Sequence, residues 1–200
     1  MRGYVHLLAA IVSPFACAAL ILMSDHPRSI IGAVFFGISV ILSYSASSAY
    51  HLLRWRGLRR LDHAMIYVLI AGTYTPFTLQ ALSNAWGIPI LSVVWALAGI
   101  GFVVSIAYVG KLRWVRTGPY LILGWIGIIP IYALWQNVPV TAFVLLLVGG
   151  VIYSLGGLVY ASRRPNPAPS IFGYHEIFHT MTVAATAVFY FVVARYILTL

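Results

Sequence analysis

The sequence predicts an all-α membrane protein, a seven-transmembrane-helix bundle with its N-terminus cytoplasmic and its C-terminus outside. Three observations carry this. Of 200 residues, 62% are hydrophobic and 8% charged, and the mean hydropathy is +0.97, a usage far outside that of soluble domains. The apolar residues fall in runs of the roughly 20 residues that a helix needs to cross a hydrocarbon core. The twelve Lys and Arg residues sit in short clusters at the ends of those runs, as topology signals do, rather than in the stripe that nucleic acid would require.

The apolar windows lie near 4–23, 30–53, 63–82, 87–109, 118–135, 139–161 and 172–194. The first, with Arg2 and the triplet Ala16-Cys17-Ala18, mimics a signal peptide, and an uncleaved first helix is expected because the topology works with it. The connections SDHPRS, RWRGLRRLD, LSNAW, GKLRWVRTG, WQNVP and SRRPNPAPS are rich in breakers, charge or Trp. None is long enough for a second domain, so residues 1–200 are expected to form one. There is no low-complexity tract and no convincing repeat.

Seven spans put alternate loops on alternate sides. Arg2, Arg54, Arg56, Arg59, Arg60, Lys111, Arg113, Arg116, Arg163 and Arg164 then share one side, and only Arg28 and Arg195 the other. The basic side is cytoplasmic. Trp55, Trp86, Trp114 and Trp135 suit an interfacial belt, whereas Trp95 and Trp125 fall mid-span, where packing is expected. Gly149, Gly150, Gly156 and Gly157 point to close helix contact. Cys17, the single cysteine, excludes an internal disulfide and reads as a packed thiol.

Ionisable groups inside a bilayer cost several kcal/mol and mark function by default. Residues 172–180, FGYHEIFHT, hold His-Glu-x-x-His, the helical spacing that zinc proteases use. His175 and His179 share one helix face, but a three-ligand zinc site needs one more ligand. No His, Asp or Glu follows His179. The topology supplies one upstream: His51 ends the second helix, and Asp62 opens the third, both in the cytosolic leaflet with His175 and His179. Three histidines with water as the fourth ligand form a known catalytic zinc geometry, and Asp62 is placed to hold that water. Asp62 could also pair with Arg59 or cap its helix. Ser47, one turn before His51, could bond the water or a substrate oxygen, or simply a backbone carbonyl. Glu176 reads equally as a supporting base or an interfacial carboxylate. His63 reads as structural, and His6 and His26 have no nameable partners.

SSAYHLL with Ser47 and His51, RRLDHAMIYVLIAGTYTPF with Asp62, and FGYHEIFH with His175 and His179 together resemble the progestin and adipoQ receptor family, in particular its bacterial hemolysin III branch. The likeness covers nearly the whole chain. It implies a multi-pass protein of the bacterial inner (plasma) membrane, with a zinc (Zn) ion held by His51, His175 and His179, and Asp62 and Ser47 at the remaining polar positions. It also suggests kinship with alkaline ceramidases, hence hydrolysis of a lipid amide. Glu176 is not carried over as catalytic, and the protease reading is weak because it lacks a downstream ligand and its histidines belong to a bundle of three converging helices.

Three functions follow as expectations. The first is a zinc-dependent hydrolase of a lipid amide or ester at the cytosolic leaflet, with Asp62 and Ser47 catalytic and membrane lipids as partners and substrate. The second is a receptor or membrane-homeostasis sensor in which zinc ties helices two, three and seven. A third, a pore-forming toxin, finds no amphipathic span able to line a pore. A lipid-sized cavity beside the histidines would favour the enzyme.

Overall fold

The computed structural model describes residues 3–107, 113–169 and 171–200, and apart from a single bridge between Ala168 and Phe172 its regular elements are helical. The chain runs through α1 (Tyr4–Leu22), α2 (Pro27–Leu53), α3 (Arg56–Gln80), α4 (Asn84–Ala107), α5 (Arg113–Gly124), α6 (Ile131–Asn137), α7 (Val140–Ser162) and α8 (Tyr174–Val192). A π-helical turn, Val193–Ile197, extends α8.

Local chemistry sets the boundaries. Pro27 at the first position of α2 has no N–H to leave unpaired, and the His26 ring accepts the Ser29 N–H at 3.2 Å. Arg54 and Arg163 adopt left-handed backbone, φ 54° and 60°, and end α2 and α7. Both sit in exposed basic turns.

Five helices (α1, α2, α4, α7 and the extended α8) are long and apolar enough to cross a bilayer, or six spans if the bent α5–α6 pair counts as one. The expectation of one continuous span over 118–135 needs correction: Thr117–Ile128 and Ile131–Asn137 meet at a 53° bend. Pro130, which lacks an N–H, stands at the start of α6, and a 3₁₀ turn at Ile126–Ile128 fills the gap. Unwound backbone in hydrocarbon must find partners. Tyr74 supplies them: its hydroxyl donates to the Gly124 carbonyl at 2.8 Å and accepts the Gly127 N–H at 2.7 Å.

The long helix outside that set is α3, and its position explains its composition. It packs between α2 and α4 and reaches α5, burying Thr73, Thr75 and Thr78. A helix wrapped in protein can carry hydroxyls that a lipid-facing helix cannot, and each threonine returns its proton to a carbonyl on its own helix.

Neighbours in sequence pack as neighbours in space, α5 bridges α3 and α7, and α8 returns to α1. At the α2–α3 seam the Ser43 hydroxyl donates to the Met65 carbonyl at 2.9 Å, and Gly72 lies so close to Ser39 and the Phe35 carbonyl that a Cβ has no room. Three of the four α7 glycines make the expected close contacts, Gly149 and Gly156 with Phe189 and Met181 of α8 and Gly157 with Leu121 of α5, whereas Gly150 lines the cavity described below. Cys17 is buried against Gly37. Trp95 packs within the bundle and its indole N–H donates to Thr75 at 3.2 Å, whereas Trp125 is 38% exposed and its indole N–H donates to Ser154 at 2.9 Å.

Arg54, Arg56, Arg59, Arg60, Arg163 and Arg164 are exposed around the end of the bundle where α2 and α7 finish and α3 and α8 begin. Arg28 and Arg195 are exposed at the other end. Arg2 and Lys111 lie outside the described residues.

Candidate metal centre

Four helices bring ionisable side chains to the basic end. α2 contributes His51 in its last turn and Ser47 one turn earlier, α3 contributes Asp62 in its second turn, and α8 contributes His175 and His179 from its first two turns. α1 contributes His6.

The start of α8 fixes the metal-ligand face. Gly173 precedes the helix, and its N–H is accepted by the Glu176 carboxylate at 2.9 Å. Asn166, from the preceding loop, accepts the Tyr174 N–H at 3.1 Å. These bonds satisfy donors that a helix start leaves orphaned, so Glu176 is a helix-capping carboxylate, 4% exposed. With the first turn pinned, His175 and His179 present one stripe toward α2.

His51 Nε2 lies 3.1 Å from His175 Nε2 and 3.1 Å from His179 Nε2. One ligand atom from each of the three falls within 4.8 Å of the others. Nitrogens about 2.0–2.1 Å from a tetrahedral zinc stand roughly 3.3 Å apart, so the spacing fits. The donor chemistry fits too. A single Nε2 offers either one proton or one lone pair, and His51 Nε2 cannot satisfy two facing nitrogens with either. A cation among the three would satisfy all three lone pairs at once.

Asp62 is half-buried, and the hydroxyl of buried Ser47 lies beside its carboxyl, close but without a well-formed hydrogen bond to any protein group. Both line a cavity of about 140 Å³ together with His6, His63, His175 and His179. The cavity runs inward past Tyr44, Leu69, Tyr74 and Trp125 to Phe189. From His179 to Phe189 is roughly 15 Å along α8 at about 1.5 Å per residue. A second chamber of about 130 Å³ adjoins it and shares Thr73, Tyr74, Trp125 and Phe189. The walls are largely apolar, with the imidazole and carboxyl groups gathered at the histidine end and hydroxyls of Thr73, Tyr74 and Ser154 farther in.

The structure thus brings together every residue that the sequence nominates: Ser47, His51, Asp62, His175 and His179. His63 is 8% exposed and lies against Tyr160, whose own ring contacts His175 at 5.8 Å between centroids, so it lines the cavity without joining the histidine cluster. Sequence reasoning missed His6. Far from lacking a partner, it is 5% exposed and packed on His179, with ring centroids 3.9 Å apart. A signal was available, since the alternating topology already put the start of α1 at the same end as those five. His26 also has a partner, as the cap of α2.

Comparison with known proteins identifies the family. Residues 1–190 match the family model described as haemolysin-III related. The chain is 35% identical over 171 residues to the hemolysin-3 homolog of Bacillus subtilis, covering 84% of this chain and 78% of that one. It is 32% identical over 200 residues to hemolysin-3 of Bacillus cereus, covering 96% and 89%. The adiponectin receptor protein of Drosophila melanogaster is 30% identical over 185 residues, 82% of this chain and 41% of the receptor. No solved structure matches.

Proposed function

The chain belongs to the haemolysin-III-related branch of the progestin and adipoQ receptor family and is a multi-pass protein of a bacterial plasma membrane, and from that premise we propose that it is a zinc-dependent hydrolase of a lipid amide or ester. The observation that carries the proposal is the juxtaposition of three mutually facing histidines with a deep apolar cavity whose polar end holds Asp62 and Ser47.

His51, His175 and His179 would hold the ion. Zinc in such a site supplies Lewis acidity, which polarises a carbonyl and makes water acidic near neutral pH. The remaining work falls to the chain. The apolar walls from Leu69 to Phe189 receive an acyl chain and exclude water, which strengthens every charge interaction at the polar end. Asp62, at that end, accepts the proton that water loses on attacking the carbonyl and returns it to the departing amine or alcohol. Ser47, whose hydroxyl is not committed to a carbonyl of its own helix, donates to Asp62 or to the lipid's carbonyl oxygen and aligns one against the other.

Seven spans with the N-terminus cytoplasmic belong to the same proposal. Counting the bent α5–α6 pair as one span and adding α3 gives that number, and the exposed arginines around the histidine end favour a cytosolic site. A second reading, a receptor or sensor with a structural zinc and no turnover, draws support from the relative named as an adiponectin receptor protein. Released fatty acid separates the two. The purified, zinc-loaded protein in bilayers should liberate it from ceramide-like lipids or phospholipids. No release across a broad panel would defeat the hydrolase.

A further inference from the structure

A ligating histidine needs its second nitrogen controlled, because the tautomer decides which nitrogen has a free lone pair. The usual device is a carboxylate or carbonyl accepting the second N–H. For His179 the group in that place is the ring of His6.

The geometry specifies how. His179 Nδ1 is 2.9 Å from both His6 Nδ1 and His6 Nε2. Equal distances to the two nitrogens put it over the face of the ring and out of line with either in-plane lone pair. The rings stand at 87°, edge to face. An aromatic face is the negative part of its quadrupole and attracts an N–H, whereas a lone pair aimed at it is repelled. The arrangement therefore favours the proton on Nδ1 and leaves the Nε2 lone pair of His179 pointing at His51 and His175.

His6 is itself held. Tyr44 packs against it at 4.9 Å between ring centroids, and its helix is preceded by Gly3, whose φ of +96° and lack of Cβ let the chain start directly against the Cβ of His51. We propose that His6 is a positioning residue of the metal centre, whose ring face receives the Nδ1–H of His179 and sets the tautomer that binds metal. This rests on the metal reading of His51, His175 and His179 and adds to it a residue from a third helix.

The test is zinc affinity measured by competition with a chromophoric chelator, together with the visible spectrum of the cobalt-loaded protein, on wild type, His6→Ala, His6→Phe and His51→Ala in detergent. His6→Phe keeps a ring face and discards both nitrogens. Its affinity should stay within about threefold of wild type and its cobalt spectrum unchanged, while His6→Ala should bind about 10- to 100-fold more weakly, the usual cost of removing such support, with an altered spectrum. A purely structural His6 would lower the metal-free melting temperature of His6→Ala and leave affinity and spectrum alone. Wild-type affinity in His6→Ala, or equal weakening in His6→Phe and His6→Ala, overturns the inference and leaves the three-histidine site standing. Wild type that takes up no more metal than His51→Ala overturns the metal reading and this inference together.

Discussion

The carboxylate of Glu176 accepts the N–H of Gly173 at 2.9 Å, three residues back along the chain. In a zinc protease the Glu of His-Glu-x-x-His is the general base. Here the same letters spell two metal-ligand candidates and a capping-box carboxylate. Glu176→Gln keeps an oxygen acceptor, so zinc content and any turnover should remain near wild type. Glu176→Ala strands a buried donor and should cost about 1–3 kcal/mol in detergent unfolding. A folded, zinc-loaded Glu176→Gln without turnover would make Glu176 the base after all.

Removing any one of His51, His175 and His179 by substitution with Ala should lower zinc affinity by at least about 10- to 100-fold, and the three should behave alike. His63→Ala should retain the metal. Elemental analysis after chelator-free purification checks this, and a His51→Ala protein holding zinc at wild-type affinity would place the third ligand elsewhere.

Asp62→Asn preserves size and shape while removing the charge that takes a proton. Lipid hydrolysis should fall by about 10² to 10⁴-fold with zinc still bound. Under the sensor reading the same change shifts only stability, by roughly 1–3 kcal/mol. Fatty-acid release from variants matched for zinc content is the measurement, and equal release from both would remove Asp62 from the chemistry.

Tyr74→Phe deletes the hydroxyl shared by the Gly124 carbonyl and the Gly127 N–H. Leaving those backbone groups without their partner should destabilise the protein by about 1–3 kcal/mol, read as a lower unfolding midpoint in micelles. An unchanged midpoint would mean that the bend is satisfied by other means.

A reporter fused after Leu200 should be active only outside the cytoplasm if the chain makes seven crossings. A cytoplasmic signal there would overturn that count and the placement of the histidines in the cytosolic leaflet.

Which parts of this were legible in the sequence depends on the range of the interaction involved. His175 and His179 are one helical turn apart, a local relation that spacing reports directly, and His51 and Asp62 followed because loops alternate sides. Glu176 was not resolved because its role depends on the backbone conformation at Gly173, which its neighbours in sequence do not declare. The bend between α5 and α6 was hidden because Gly124 and Pro130 sit in an otherwise unbroken apolar run, and hydropathy averages over them. His6 was missed for a different reason: alternating loops put it at the right end, but α1 touches α8 only when the bundle closes, and no pattern within either helix encodes the meeting.

That meeting has a consequence for biosynthesis. His6 and His179 are separated by 173 positions, so the contact joins a helix made early to one made much later. A ribosome that stalls, or a protease that clips the chain before α8, leaves a product that carries His51 and Asp62 but lacks His175 and His179. Under the metal reading proposed above, such a copy holds one of the three ligands and cannot load an ion until α8 has been made.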